Sequence, residues 1–121
     1  MPMPNQPALL APFWDDLVLQ PQSRVCTKVQ GKAGLRTFTV TWRQVSRYAQ
    51  SNTSLTFSMV LHEDNGAIDF VYDDLFALAG AEAFVSGVRA AVGVQAAGGF
   101  AHAVHRGVVS VSRKLRFTPR R

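Results

Sequence analysis

The sequence predicts an all-β fold, an antiparallel β-sandwich of the jelly-roll or immunoglobulin-like kind. Aromatic and β-branched residues are frequent, and in several segments apolar and polar residues alternate with a period of two. Long helical periodicity is absent, and residues 55–75 have the pattern of a β-hairpin. The chain has 121 residues, 47% of them apolar, which is enough for one domain with one core.

The hairpin in residues 55–75 is the strongest local signal. Asn65-Gly66 lies between two alternating arms and can supply the positive φ angles of a two-residue turn. If this dipeptide is the centre of the turn, the apolar side chains of both arms share one face of the sheet. The predicted cross-strand pairs are Leu61 with Phe70, Met59 with Tyr72 and, on the wetter face, His62 with Asp69.

The other strands follow from the same alternation. In residues 25–30, Val25, Thr27 and Val29 should lie on one face, with Cys26 and Lys28 on the other. In residues 35–45, Phe38, Val40 and Trp42 should point inward. Residues 46–53 are read as a polar loop and residues 102–107 as a turn, and residues 76–89 receive no assignment. The further predicted strands are 9–13, 90–95 and 108–118.

The domain bounds follow from composition. Residues 1–7 contain three prolines and should form an extended lead-in. Residues 8–119 should form the single sandwich domain, and residues 120–121 a basic tail. We see no internal repeat and no low-complexity linker.

The net charge of +5 and the pI of about 10.2 permit an anionic partner such as nucleic acid or an acidic polysaccharide. Five of the thirteen basic residues lie in the last nine positions. The alternative interpretation is an edge strand protected by positive charge. The candidate anion-binding residues are Arg113, Lys114, Arg116, Arg120 and Arg121.

Two pairs of adjacent carboxylates are candidate calcium ligands, because hard cations bind clustered oxygen atoms. The alternative role is capping of backbone N–H groups in turns. No regular ligand loop of the D-x-D-x-D-G type is present, and we expect no other cofactor. The candidate metal ligands are Asp15, Asp16, Asp73 and Asp74.

We expect no enzymatic activity, because no nucleophile, base and orienting group occur at a recognisable spacing. The single cysteine, Cys26, cannot form an internal disulfide and is expected to be a small, partly buried side chain in a strand. No apolar run is long enough for a transmembrane helix, and the N-terminus lacks a secretory pattern. A chain complete as written would be cytoplasmic, whereas a piece of a larger exported protein would be secreted or on the cell surface.

Four phrases occur along the chain in the order LLAPFWDDL, LRTFTVTWRQV, LTFSMVLHEDNGAIDFVYDDL and AAVGVQAAGG. In this order they resemble a β-sandwich module of large secreted and surface proteins of bacteria, myxobacteria among them. They also resemble, more distantly, the nidogen-like extracellular (NIDO) domain. The resemblance covers roughly residues 8–99. The phrases shared with the NIDO domain are Ala11–Asp15, Thr41–Val45 and Thr56–Leu61.

The resemblance implies a non-catalytic extracellular module for adhesion or assembly, and no catalytic residue is carried over. Family members usually have further strands before the APFW phrase, where this sequence has only seven residues before Ala8. The sandwich is therefore expected to lack N-terminal strands and to expose a sheet edge. A strand from a protein partner, a symmetric homo-oligomer, or residues 1–11 or 108–118 would cover that edge. A self-assembling cytoplasmic subunit is the main alternative, and membrane insertion is not expected.

Overall fold

Two antiparallel sheets pack against each other in the computed structural model, which describes residues 8–14, 16–48, 50–77, 91–95, 101–104 and 113–118. The predicted antiparallel β-sandwich is therefore confirmed. None of the described residues forms a helix of the length and apolarity needed to cross a bilayer. The strands are β1 (Leu9–Trp14), β2 (Leu17–Val18), β3 (Arg24–Gln30), β4 (Thr37–Arg47), β5 (Gln50–His62), β6 (Ile68–Ala77), β7 (Ala91–Gln95), β8 (Ala101–Val104) and β9 (Arg113–Phe117).

The larger sheet has the order β2-β4-β5-β6-β9, and β3 also pairs with β4. β3 pairs with residues 37–43 of β4, whereas β2 pairs with Ser46 and Arg47. The two partners meet β4 on either side of an irregularity at Gln44, which has a φ of 54°. Thr56 Oγ1 accepts a hydrogen bond from the Gln44 amide at 3.0 Å, which stabilises the bulge.

The smaller sheet has the order β1-β7-β8. The predicted turn at residues 102–107 is wrong for residues 102–104, which belong to β8, and residues 105–107 lie outside the described residues. The mistake arose because short strands of small residues, bounded by glycine, resemble loops in composition. The predicted loop at 46–53 is also wrong, since β4 extends to Arg47 and β5 begins at Gln50.

The core lies between the sheets and is centred on Phe57, which is 1% exposed. Its ring stacks on Phe13 from the smaller sheet at 5.7 Å and on Trp42 from the larger sheet at 5.1 Å between centroids. The Tyr72 hydroxyl donates a hydrogen bond to the Pro12 carbonyl, so a polar contact also joins the sheets. The buried core residues are Phe13, Val45, Leu55, Phe57, Phe70, Tyr72 and Val92.

The β5–β6 hairpin forms as predicted, but its register differs by two residues. Leu61 faces Ile68 and Met59 faces Phe70. The loop has four residues, 63–66, and is closed by the bond from His62 N to Ala67 O at 2.9 Å. Only Gly66 within it adopts a positive φ, of 69°. The Asn65 side chain instead accepts a hydrogen bond from the Ala67 amide at 2.9 Å, which favours the longer loop.

Several predictions concern residues outside the described part of the chain. They are the lead-in at 1–7, the tail at 120–121, and residues 108–112 of the predicted last strand. Residues 113–117 of that segment form β9, and residues 9–11 belong to β1. Residues 1–11 and 108–118 were expected to supply edge strands, and each segment contributes a terminal strand to one of the described sheets.

Candidate functional site

Among the strands whose burial the structure describes in full, β3 is the most exposed. Each of its seven residues is exposed to solvent. All seven pair with β4, from Arg24 opposite Arg43 to Gln30 opposite Thr37, and β4 is its only partner among the described strands. One side of β3 therefore presents main-chain N–H and C=O groups away from the sheet. Such an edge is a template for another strand.

Other terminal strands of the described sheets are poorer templates. β1, β8, β9 and β2 have six, four, five and two residues, so β3 with seven is the longest. β1 contains Pro12, which lacks an N–H donor. Three of the five residues of β9 are basic, and charge of this kind protects an edge from strand addition.

A turn holds the beginning of β3 in place. The hydroxyl of Ser23, which is 6% exposed, accepts a bond from the Gln20 amide at 2.8 Å and donates one to the Gln44 carbonyl. The Arg24 guanidinium donates to the carbonyls of Pro21 and Ser23 at 3.2 and 2.7 Å. These bonds join the beginning of β3 to the irregularity at Gln44 in β4, so the position of the strand is fixed in the single chain.

Glu63 fixes the other end of β3 by holding the β3–β4 turn against the β5–β6 loop. Its Oε2 accepts bonds from the amides of Gly34 and Arg36 at 2.9 and 3.0 Å. The Arg36 guanidinium donates to both carboxylate oxygens at 2.8 and 2.7 Å. The hydrogen bonds from Arg36 and then from Gly34 lower the pKa of Glu63 to about 2.

One face of the β3 edge is apolar. Val25 and Val29 are opposite Trp42 and Phe38, so they lie on the same face of the sheet as the core. They are nevertheless 49% and 62% exposed, and Phe38 is 38% exposed. We call Val25, Val29 and Phe38 the apolar edge patch. A shallow hollow of about 290 Å³, lined in part by Val29, Phe38 and Leu61, adjoins the patch.

The opposite face of the edge is polar. Thr41 Oγ1 and Ser58 Oγ share a hydrogen bond of 2.9 Å there. Cys26 is exposed, so its expected partial burial is wrong, because an edge strand has no neighbour on its outer side to cover it. A groove of about 450 Å³ crosses this face, lined by Cys26, Thr27, Lys28, Thr39, Thr41, Arg43, Thr56, Ser58 and Asp73.

A charged cluster around Asp69 joins β9 to the larger sheet. The predicted contact with His62 exists, at 2.7 Å from Nε2 to Oδ2, although the residue directly opposite Asp69 is Val60. Asp69 lies on the face opposite the core, as predicted, because it alternates with the core residues Ile68 and Phe70, yet it is only 2% exposed. Arg116 covers it and donates two bonds of 2.7 and 2.8 Å, and Lys114 Nζ lies 3.5 Å away.

The electrostatics of this cluster follow from those contacts. The hydrogen bonds from Arg116, above all other contacts, hold the pKa of the Asp69 carboxyl well below its usual range. Two of the candidate anion-binding residues, Lys114 and Arg116, therefore already face an internal carboxylate. Arg120 and Arg121 lie outside the described residues, as does the side chain of Arg113. Anion binding by this set stays a prediction.

The three candidate calcium ligands that the structure describes do not form a recognisable site. Asp16 is exposed before β2, and Asp73 and Asp74 are exposed at an irregularity in β6 opposite Thr56. Asp15 lies outside the described residues. Within the described ranges, no three His, Cys, Asp or Glu side chains are grouped in a way that suits a metal ion. Calcium binding also stays a prediction.

The β3 edge was not singled out from the sequence, although one signal for it was present. Val25 and Val29 are the only apolar residues besides Cys26 in a strand of seven, and a central strand would carry more.

No curated protein and no solved structure matches the chain. The family described as NIDO-related matches residues 1–116. The chain therefore belongs to the NIDO-related family.

Proposed function

We propose that this chain is a non-catalytic binding and assembly module of a secreted or cell-surface protein, and that it binds a partner by strand addition at β3. Membership of the NIDO-related family supports an extracellular-type module. The observation that carries the proposal is the exposure of all seven β3 residues, whose only strand partner in the described structure is β4.

Affinity and selectivity at this edge would have separate physical origins. Main-chain hydrogen bonds to the open side of β3 would supply affinity with little dependence on sequence. Alternate side chains would supply selectivity, since Val25 and Val29 lie on one face and Cys26 and Lys28 on the other. An extended peptide with β-branched residues at every second position fits this edge.

The proposal assigns no catalytic residue and no cofactor. The His62–Asp69 pair is the arrangement most similar to a general base with its orienting carboxylate. Both oxygens of Asp69 accept bonds from Arg116, however, and the three residues lie on adjacent strands. This geometry favours a role in holding β9 in the sheet.

Selection from a phage-displayed library of linear nine-residue peptides tests the proposal. Peptides selected on the wild-type chain should bind at least ten-fold more weakly to the double variant Val25→Lys/Val29→Lys, because lysines on an edge oppose strand addition. Their binding should map to β3 by slowed amide hydrogen exchange.

The matched control is Leu19→Lys/Leu35→Lys, which adds the same charge at side chains that are 64% and 66% exposed and lie outside the strands. Its peptide affinity should stay within two-fold of wild type. If no peptide is enriched, or if both double variants bind equally well, strand addition at β3 is wrong.

A further inference from the structure

We propose that the strand accepted by β3 is the β3 strand of a second copy of this chain, in an antiparallel pair with a two-fold axis at Thr27. This inference rests on the proposed function and names its partner. The pairing would join two six-stranded sheets edge to edge. Three features of β3 support it: its charge pattern, the position of its valines and the faces of its side chains.

The faces limit the registers available. Opposite residues of an antiparallel pair point to the same side of the sheet. In a symmetric pair whose two apolar faces lie on the same side of the joined sheet, the two-fold axis must therefore pass between two copies of one residue, which are directly opposite each other. The three central choices are Cys26, Thr27 and Lys28.

The charges then select one register. A pair centred on Cys26 places Arg24 opposite Lys28 of the second copy, and a pair centred on Lys28 places the two lysines opposite each other. Like charges directly opposite are destabilising. A pair centred on Thr27 places Arg24 opposite Gln30 and Lys28 opposite Cys26, so no two basic residues face each other.

The same register is the one that pairs the valines. With the axis at Thr27, Val25 of each copy is opposite Val29 of the other, on the apolar face. Both side chains are about half exposed in the single chain, and Val29 is opposite Phe38. Cross-strand pairs of β-branched residues stabilise sheets. The dimer would therefore cover much of the apolar edge patch.

The dimer should be weak and should tighten with salt. An edge-to-edge contact of seven residues is smaller than the roughly 1,200–2,000 Å² of a stable interface, so we expect dissociation in the micromolar range. Each chain carries a net charge of +5, so the copies repel each other at low ionic strength. An anionic partner would show the opposite dependence on salt.

Sedimentation equilibrium at 1–200 μM is the first test. We expect a monomer–dimer equilibrium whose dissociation constant falls at least three-fold between 50 and 300 mM NaCl. Val25→Lys/Val29→Lys should weaken dimerisation at least ten-fold, and Leu19→Lys/Leu35→Lys less than two-fold. Thermal unfolding of each variant should show that it is folded at the temperature of the measurement.

Cysteine cross-linking reads the register directly. Opposite Cα atoms lie about 4.5–5.5 Å apart, which is within disulfide range. Cys26→Ser/Thr27→Cys should therefore form a covalent dimer under mild oxidation. The variant Cys26→Ser/Lys28→Cys should form at least ten-fold less covalent dimer, because the two cysteines would be diagonal neighbours at about 7–8 Å.

The outcomes separate this inference from the proposed function. A folded chain that is monomeric at 200 μM overturns the dimer, and so does a dimer that cross-links better through position 28 or ignores both valines. If selected peptides still bind at β3 in that case, the proposed function stands without self-pairing. If peptides also fail to bind, both proposals are wrong.

Discussion

Replacing Asp69 with asparagine tests whether the carboxylate cluster holds β9 in the larger sheet. Arg116 donates two charge-assisted bonds to Asp69, and His62 Nε2 lies 2.7 Å from the same group. Hydrogen bonds to charged groups contribute about 1.5–3 kcal/mol each. Asparagine keeps one acceptor oxygen, so one of the two Arg116 bonds is lost.

Solvent screening reduces the stabilising free energy of the lost bond, because the Arg116 and Lys114 side chains are 44% and 53% exposed. We therefore expect Asp69→Asn to lower the free energy of unfolding by about 2 kcal/mol, against total domain stabilities of about 5–15 kcal/mol. The melting temperature should fall by about 6–10 °C for a domain of this size.

Urea unfolding at pH 7, followed by tryptophan fluorescence, measures this change. A double-mutant cycle with Arg116→Gln should give a coupling energy of about 1–2 kcal/mol. Asp73→Asn is the matched control, since Asp73 is exposed on the same strand, and it should change stability by less than about 0.5 kcal/mol. A loss below 0.5 kcal/mol for Asp69→Asn, or an additive cycle, would refute the reasoning.

The same variant has a pH signature. The pKa of Asp69 is lower in the folded chain than the value of about 3.9 expected for an unfolded aspartate. Its contribution is therefore complete above the unfolded pKa and is lost as the pH falls towards the folded one. The stability gap between wild type and Asp69→Asn should narrow as the pH falls below about 4, and a gap that widens there contradicts the assignment.

Three further predictions concern the core and the turns. Glu63→Gln should speed amide exchange at Gly34, and by NMR the wild-type Glu63 carboxyl should titrate near pH 2, so its support for the turn is lost as the pH falls from about 4.5 towards 2. Phe57→Ala should cost about 3–5 kcal/mol in urea unfolding, whereas Leu35→Ala, at an exposed side chain, should cost less than about 0.5 kcal/mol. Gly31→Ala should destabilise more than Gly34→Ala, because both have positive φ but only at Gly31 would a Cβ meet a carbonyl oxygen, that of Leu35, at 3.0 Å.

Alternation predicted which side chains lie on the core face of the larger sheet, but Phe38, predicted to point inward, is 38% exposed because it lies beside the edge strand β3. The inward positions of β4 and β5 follow directly from a period of two. The same period cannot distinguish registers that differ by two residues, since both place the same side chains on the same face. The Asn65 side chain, which accepts a hydrogen bond from the Ala67 amide, favours the longer loop and with it the observed register, and apolar patterning does not encode this contact.

The candidate site was harder to predict than the fold. Strand pairing determines which strand becomes an edge, and β3 is one because β4 is its only partner among the described strands. The contact between Asp69 and Arg116 joins residues 47 positions apart. Single-sequence patterns carry no information about contacts at that range, whereas His62 and Asp69, within one hairpin, were predicted to meet.

The pairing of β9 with β6 has a consequence for synthesis on the ribosome. β2 to β6 follow one another closely in sequence, whereas about 35 residues separate β6 from β9, which at about 5–20 residues per second is a delay of roughly two to seven seconds. During that interval β9 does not yet cover the outer side of β6, and the Asp69 carboxylate lacks its hydrogen bonds from Arg116. Slow codons in this interval would therefore prolong a state open to misassociation between neighbouring nascent chains.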